Sequence, residues 1–143
     1  MSDIPDDLRE LVTRRAGNRC EYCHVPAEGQ ISWFPIDHIR PKSANGATES
    51  SNLAFACPRC NASKWAFVDG VDPSTGEIAS LYDPRSQVWD EHFQWSAKNP
   101  LELEGKTAIG RATISRLKIN DTGPLMIRRL LHELGIFKLS SSG

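Results

Sequence analysis

Residues 20–64, CEYCHVPAEGQISWFPIDHIRPKSANGATESSNLAFACPRCNASK, carry all four cysteines of the 143-residue chain, in two short-range pairs: Cys20-Glu21-Tyr22-Cys23 and Cys57-Pro58-Arg59-Cys60. Each C-x-x-C knuckle wraps two thiolates around one side of a tetrahedral ion, so two knuckles close a site that leaves no position for water or substrate. The expectation is a structural Zn²⁺ held by Cys20, Cys23, Cys57 and Cys60. A thioredoxin-like redox pair needs one such motif rather than two. Local disulfides disagree with the cytoplasmic location expected from an N-terminus, MSDIPDDLRE, that has neither a basic n-region nor an apolar h-region.

Outward from the knuckles, Pro5-Asp6-Asp7 followed by Leu8, Leu11 and Val12 predicts a helix that stops at Gly17-Asn18. Residues 30–39, QISWFPIDHI, are rich in β-branched and aromatic types and predict a strand, with Pro35 marking an edge or bulge. Asn45-Gly46 signals a turn, Leu53–Ala56 a second strand, and Asn61–Trp65 a helix. Beyond Lys64, turns alternate with short apolar runs, as in a small β-rich lobe, and from Thr107 the pattern turns helical. Ile127, Leu130, Leu131 and Leu134 follow i, i+3, i+4, i+7 spacing and are read as core, ended by Gly135. Ser140–Gly143 read as a frayed tail.

The segment C-E-Y-C … D-H-I-x-P-x-S … N-L-A-x-A-C-x-x-C-N-x-x-K resembles the HNH nuclease family. Asp83-Pro84-Arg85, Trp89, His92-Phe93, Trp95, Gly105-Lys106-Thr107 and Gly110-Arg111-Ala112-Thr113 are similar to a bacterial subfamily with a C-terminal extension, so the resemblance covers about residues 8–132. It implies an α+β fold: a ββα-metal (His-Me finger) core at residues 1–70, stapled by the four-cysteine zinc site. A β-rich and helical extension at 71–143 packs on that core as one compact unit. It further implies an endonuclease with His38 as general base, Asp37 and Asn61 as ligands of one divalent ion, and Asn52 holding the loop that orients His38.

The chemistry of these residues agrees. Phosphodiester hydrolysis needs an activated water and neutralisation of charge on phosphoryl and leaving oxygens, which a hard, oxygen-ligated cation supplies. Asp37 offers a carboxylate, and His38, next along an extended segment, points to the opposite side. The family's usual third His is Asn61 here. An amide oxygen is harder than imidazole, which favours Mg²⁺ over Zn²⁺ or Ni²⁺, with Mn²⁺ the next candidate. His24, beside a knuckle, is read as capping the zinc site, and His92 and His132 as structural. The four tryptophans, Trp33, Trp65, Trp89 and Trp95, are read as core.

The formal charge of −1 excludes a chain basic over its whole surface. Residues 1–64 carry eight basic and eight acidic side chains, 65–104 two and eight, and 105–143 seven and two. The basic C-terminal third nominates Arg111, Arg116, Lys118, Arg128 and Arg129 for a duplex backbone, with Arg40 and Lys64 nearer the site. Such contacts position a substrate and do not read its sequence, so cleavage is expected to be weakly sequence-specific unless a protein partner supplies the target. DNA is the first-choice substrate. An RNA-directed nuclease and a catalytically silent, zinc-stapled nucleic-acid-binding module are the rivals. No apolar run approaches ~18 residues, so no membrane is expected as a partner.

Overall fold

The computed structural model describes residues 4–139, and the tail expected at Ser140–Gly143 lies outside the described residues. The first helix, α1 (Asp6–Arg15), carries Asp6 and Asp7 in its first turn and Arg14 and Arg15 in its last, matching the helix dipole at both ends. Gly17 and Asn18, both with positive φ, end it and turn the chain into the first knuckle.

The segment that follows forms β1 (Ile36–His38), β2 (Leu53–Phe55) and α2 (Pro58–Lys64) in succession. The two strands are antiparallel, with Ile36 opposite Phe55 and His38 opposite Leu53. The strand expected over residues 30–39 therefore shortens to its last few residues. Apolar type is not enough without a partner: β2 offers three residues, Pro35 has no N–H, and Ile31 and Trp33 are left in solvent, Trp33 at 84% exposure. Between the strands, Asn45 sits in the left-handed region at φ 65°. A Cβ on Gly46 would lie 1.7 Å from the Arg40 carbonyl oxygen, so the Asn45-Gly46 turn needs both residue types in that order.

Two more hairpins follow, β3 (Asp69–Val71) with β4 (Ile78–Ser80), and β5 (Phe93–Trp95) with β6 (Leu103–Gly105), the short α3 (Trp89–His92) lying between them. Then come α4 (Ala108–Leu117) and α5 (Thr122–Glu133). Helix α4 packs on β3, β4, β6 and α2, joining the later hairpins to the knuckle region. A Cβ on Gly110 would stand 2.0 Å from the His92 carbonyl oxygen, and one on Gly105 2.5 Å from the Arg111 nitrogen. The glycines of GKTAIGRA are thus required by close backbone approach. One apolar cluster, including Val12, Tyr22, Leu53, Phe93, Leu117 and Phe137, runs through the knuckle region and the later elements.

Helix α5 departs from its expected orientation. Leu131 is buried, but Ile127, Leu130 and Leu134 are exposed. The inward face is the one shared by Leu131 and Arg128, three residues apart. Arg128, expected on a duplex, is instead 1% exposed, its guanidinium donating to the carbonyls of Leu101 (2.8 Å) and Ile119 (2.9 Å) and to Asn120 Oδ1 (3.2 Å). Among the described residues no helix is long and apolar enough to cross a membrane.

Candidate active site and metal centre

The four sulfurs of Cys20, Cys23, Cys57 and Cys60 lie within 4.8 Å of one another, all on buried residues and none in a disulfide. Cys23 Sγ and Cys57 Sγ are 3.8 Å apart, which matches the edge, about 3.8 Å, of a tetrahedron with zinc–sulfur distances near 2.3 Å. Backbone N–H groups already point at sulfur: Tyr22 and Cys23 donate to Cys20 Sγ (3.4 and 3.5 Å), and Cys60 donates to Cys57 Sγ (3.3 Å) at the α2 N-cap. Hydrogen bonding from its neighbours, Cys20 first, pulls the Cys57 thiol far down, while the same crowding and burial push Cys23 and Cys60 up. Four thiols this close cannot all ionise on their own, and a cation bound to all four resolves the conflict.

His24 contributes to the knuckle through its backbone rather than its ring. Its φ of 67° closes the turn and its N–H donates to the Cys20 carbonyl (2.9 Å), whereas the imidazole stacks on Trp89 at 3.8 Å. The expected ring cap on zinc is therefore replaced by an aromatic stack. Burial pulls that imidazole down to about 4. Glu21, inside the same knuckle, accepts from the Phe55 N–H (2.8 Å) and pairs with Arg85.

Asp37 and His38 are neighbours on β1 and face opposite ways, as the two-residue strand period requires. Asp37 is 3% exposed. Its Oδ2 accepts from the Tyr22 hydroxyl (2.7 Å), and the Lys64 ammonium lies 3.3 Å from Oδ1 and 3.1 Å from Oδ2. Burial pushes the Asp37 carboxyl up, and Lys64 and Tyr22 pull it back down. The Tyr22 phenol, raised well above its ordinary value by burial and then by Asp37, stays protonated as the donor. Lys64 also donates to the carbonyls of His38 (3.3 Å) and Ile39 (3.1 Å). Expected on a phosphate, Lys64 is instead buried in the hairpin, where it meets the Asp37 carboxylate and two backbone carbonyls.

The opposite side holds His38, half-buried, with Nε2 2.9 Å from the Thr48 hydroxyl. Asn52 ties the intervening loop: its Oδ1 accepts from Arg40 N (2.9 Å), and its Nδ2 donates to the carbonyls of Arg40 (3.0 Å) and Ala47 (2.9 Å). Asn61 sits on α2 one turn before Lys64, and its side chain makes no hydrogen bond to another described residue. Asp37 and Asn61 are oxygen donors of the kind hard divalent ions prefer. The Lys64 ammonium already occupies the carboxylate, so such an ion would have to displace it to reach Asp37.

The expected nucleic-acid contacts separate. Arg40 is exposed beside the site, its Nε donating to the Ala44 carbonyl (3.0 Å). Arg111 is turned onto Asp72 through Nε and Nη2, both at 2.9 Å, so its fork is occupied by a carboxylate within the chain rather than open to a duplex. Arg116 lies half-buried over the Phe67 ring, 3.8 Å from the centroid. Tyr22 and Thr48 join the site without having been expected there. A phenol between two clustered cysteines is a usable signal for the first, but only the folded loop brings the second to His38. Trp65, expected in the core, is instead 75% exposed, with φ 45° and ψ −119°, a region that costs a bulky residue roughly 1–3 kcal/mol.

No curated protein and no solved structure matches the chain. The HNH endonuclease family model matches residues 20–66, from the first zinc-type cysteine to just past α2. The segment that gathers the four cysteines and the β1–β2–α2 unit is therefore the part of the chain that is similar to HNH endonucleases.

Proposed function

We propose that the chain is a metal-dependent endonuclease that hydrolyses phosphodiester bonds in DNA, built as an HNH core over residues 1–70 with an extension over 71–143. The observation that carries this reading is the division of β1: Asp37 turns toward α2, which bears Asn61, while His38 turns toward the loop clamped by Asn52. His38 takes a proton from water, Thr48 steadies its ring, and Asn52 holds the segment from Arg40 to Ala47 in place. Asp37 and Asn61 hold the divalent ion, Mg²⁺ first, and the cysteine cluster holds Zn²⁺. The divalent ion supplies charge neutralisation on the phosphoryl and leaving oxygens.

The buried pairing of Asp37 with Lys64 favours one second reading, a zinc-stapled nucleic-acid-binding module without turnover. Incubating the protein with plasmid, linear duplex, single-stranded DNA and RNA, each with Mg²⁺ or Mn²⁺, separates the two. Cleavage that falls about 10²-fold or more in His38→Ala is expected. No cleavage with either ion, alongside retained binding, selects the module, and preferential cutting of RNA replaces DNA as the substrate.

A further inference from the structure

The end of α2 presents an unexplained surface. Trp65 caps the helix, its N–H donating to the Asn61 carbonyl (2.9 Å), and its indole stands 75% exposed in the positive-φ region, where glycine is at ease and a bulky side chain is strained. Its ring meets Phe67 edge-on at 5.9 Å, and the Arg116 guanidinium covers Phe67 at 3.8 Å. Arg116 is fixed there by a hydrogen bond from Nε to the Asp69 carbonyl (3.3 Å). The neighbouring α-carbon, about 3.8 Å away, belongs to Lys64, whose ammonium rests on Asp37 and on the His38 and Ile39 carbonyls. An exposed indole thus stands with a partly exposed phenyl ring and the half-buried guanidinium that covers it, at the end of the helix whose Lys64 reaches β1.

We propose that Trp65, with Phe67 and Arg116, is a stacking shelf for an unpaired nucleobase next to the bond to be cut. The proposal rests on the endonuclease reading and names the substrate feature it takes: a single strand, an overhang or an extruded base rather than a fully paired duplex. Aromatic faces layered with arginine are the surfaces on which bases stack without sequence preference, because every base has a π-face. The cation argues for this occupant over an apolar protein face. Arg116 lends positive charge to the shelf, which suits a ligand that carries phosphates, and Arg40 stands exposed near the same strand. The strained backbone argues in the same direction. It turns the indole outward at the point where glycine would relieve it, which gains nothing for packing in an exposed ring.

The test uses a His38→Ala background, so that nothing is cut, and measures anisotropy of a fluorescein-labelled single strand and of the same sequence fully paired. Trp65→Gly is expected to weaken single-strand binding about tenfold, with little change for the duplex, while Trp65→Phe keeps most of the affinity. Trp65→Gly is also expected to melt higher than its parent, since the strain is removed. If the parent binds single strands and Trp65→Gly binds them equally well, the shelf is refuted and the endonuclease reading stands. If the parent binds no nucleic acid, both fall. If Trp65→Gly instead abolishes self-association on a sizing column with nucleic-acid affinity intact, the patch is a protein face and the proposal is overturned.

Discussion

The Asp37 carboxylate and the Lys64 ammonium lie 3.1 Å apart with both side chains almost wholly removed from water. Deleting one member of such a pair strands a buried charge. Lys64→Met is expected to lose about 3 kcal/mol of stability by urea unfolding in a zinc-replete buffer without other divalent ions. Added Mg²⁺ or Mn²⁺ should recover more of that loss in the variant than it adds to the wild type, because the ammonium no longer competes for Asp37. Equal responses to the ion in both proteins would remove Asp37 from the metal site.

The cysteine cluster predicts one zinc per chain by elemental analysis. In small zinc domains the ion contributes on the order of 10 kcal/mol, comparable to the whole stability of a typical domain. Cys57→Ser should therefore bind less than stoichiometric zinc and lose its cooperative melting transition. A variant that melts like the wild type would show that the sulfurs pack without an ion.

In the proposed reaction Thr48 touches only His38 and is a positioning residue. Removing its hydroxyl takes away a hydrogen bond to the imidazole worth about 1 kcal/mol, so Thr48→Val should slow turnover about fivefold, and Thr48→Ser should restore it. The pH at half-maximal rate should shift in Thr48→Val and return in Thr48→Ser. An unshifted pH profile would reduce Thr48 to loop packing.

Acid provides a separate test away from the site. Hydrogen bonds from Arg111, supported by the Ser74 N–H, hold the buried Asp72 carboxyl down at about 2. An unfolded aspartate titrates near 3.9, so the pair's contribution is complete above about pH 4 and drains away as the pH falls toward 2. Arg111→Met should melt below the wild type at about pH 6, and the gap should close toward about pH 2. A gap that stays constant across that range contradicts the pairing.

Much of the architecture was legible because its signals are local. Paired C-x-x-C spacing reads directly as a tetrahedral sulfur cluster, and Asp6-Asp7 with Gly17-Asn18 brackets α1. The misreadings share one cause: residue type reports preference, while burial depends on what lies opposite. Ile127, Leu130 and Leu134 mark an apolar stripe, but α5 turns Arg128 and Leu131 inward instead. Arg128 and Lys64 read as phosphate-binding cations, yet each meets a set of buried oxygens that only the folded chain assembles. Trp33 and Trp65 read as core by type and stand in solvent.

Glu21 has a consequence for where this molecule can be divided. Its carboxylate sits between two cysteine ligands and accepts from Phe55 N–H while pairing with Arg85, and the next residue's carbonyl accepts from the Trp89 indole (2.9 Å). These contacts run past residue 66, where the family match stops. A fragment cut there would leave the Glu21 carboxylate without Arg85 and the Tyr22 carbonyl without the Trp89 indole, at the edge of the cysteine cluster. The turn that carries Cys20 and Cys23 is thus also the turn that holds Arg85 and Trp89 of the later half.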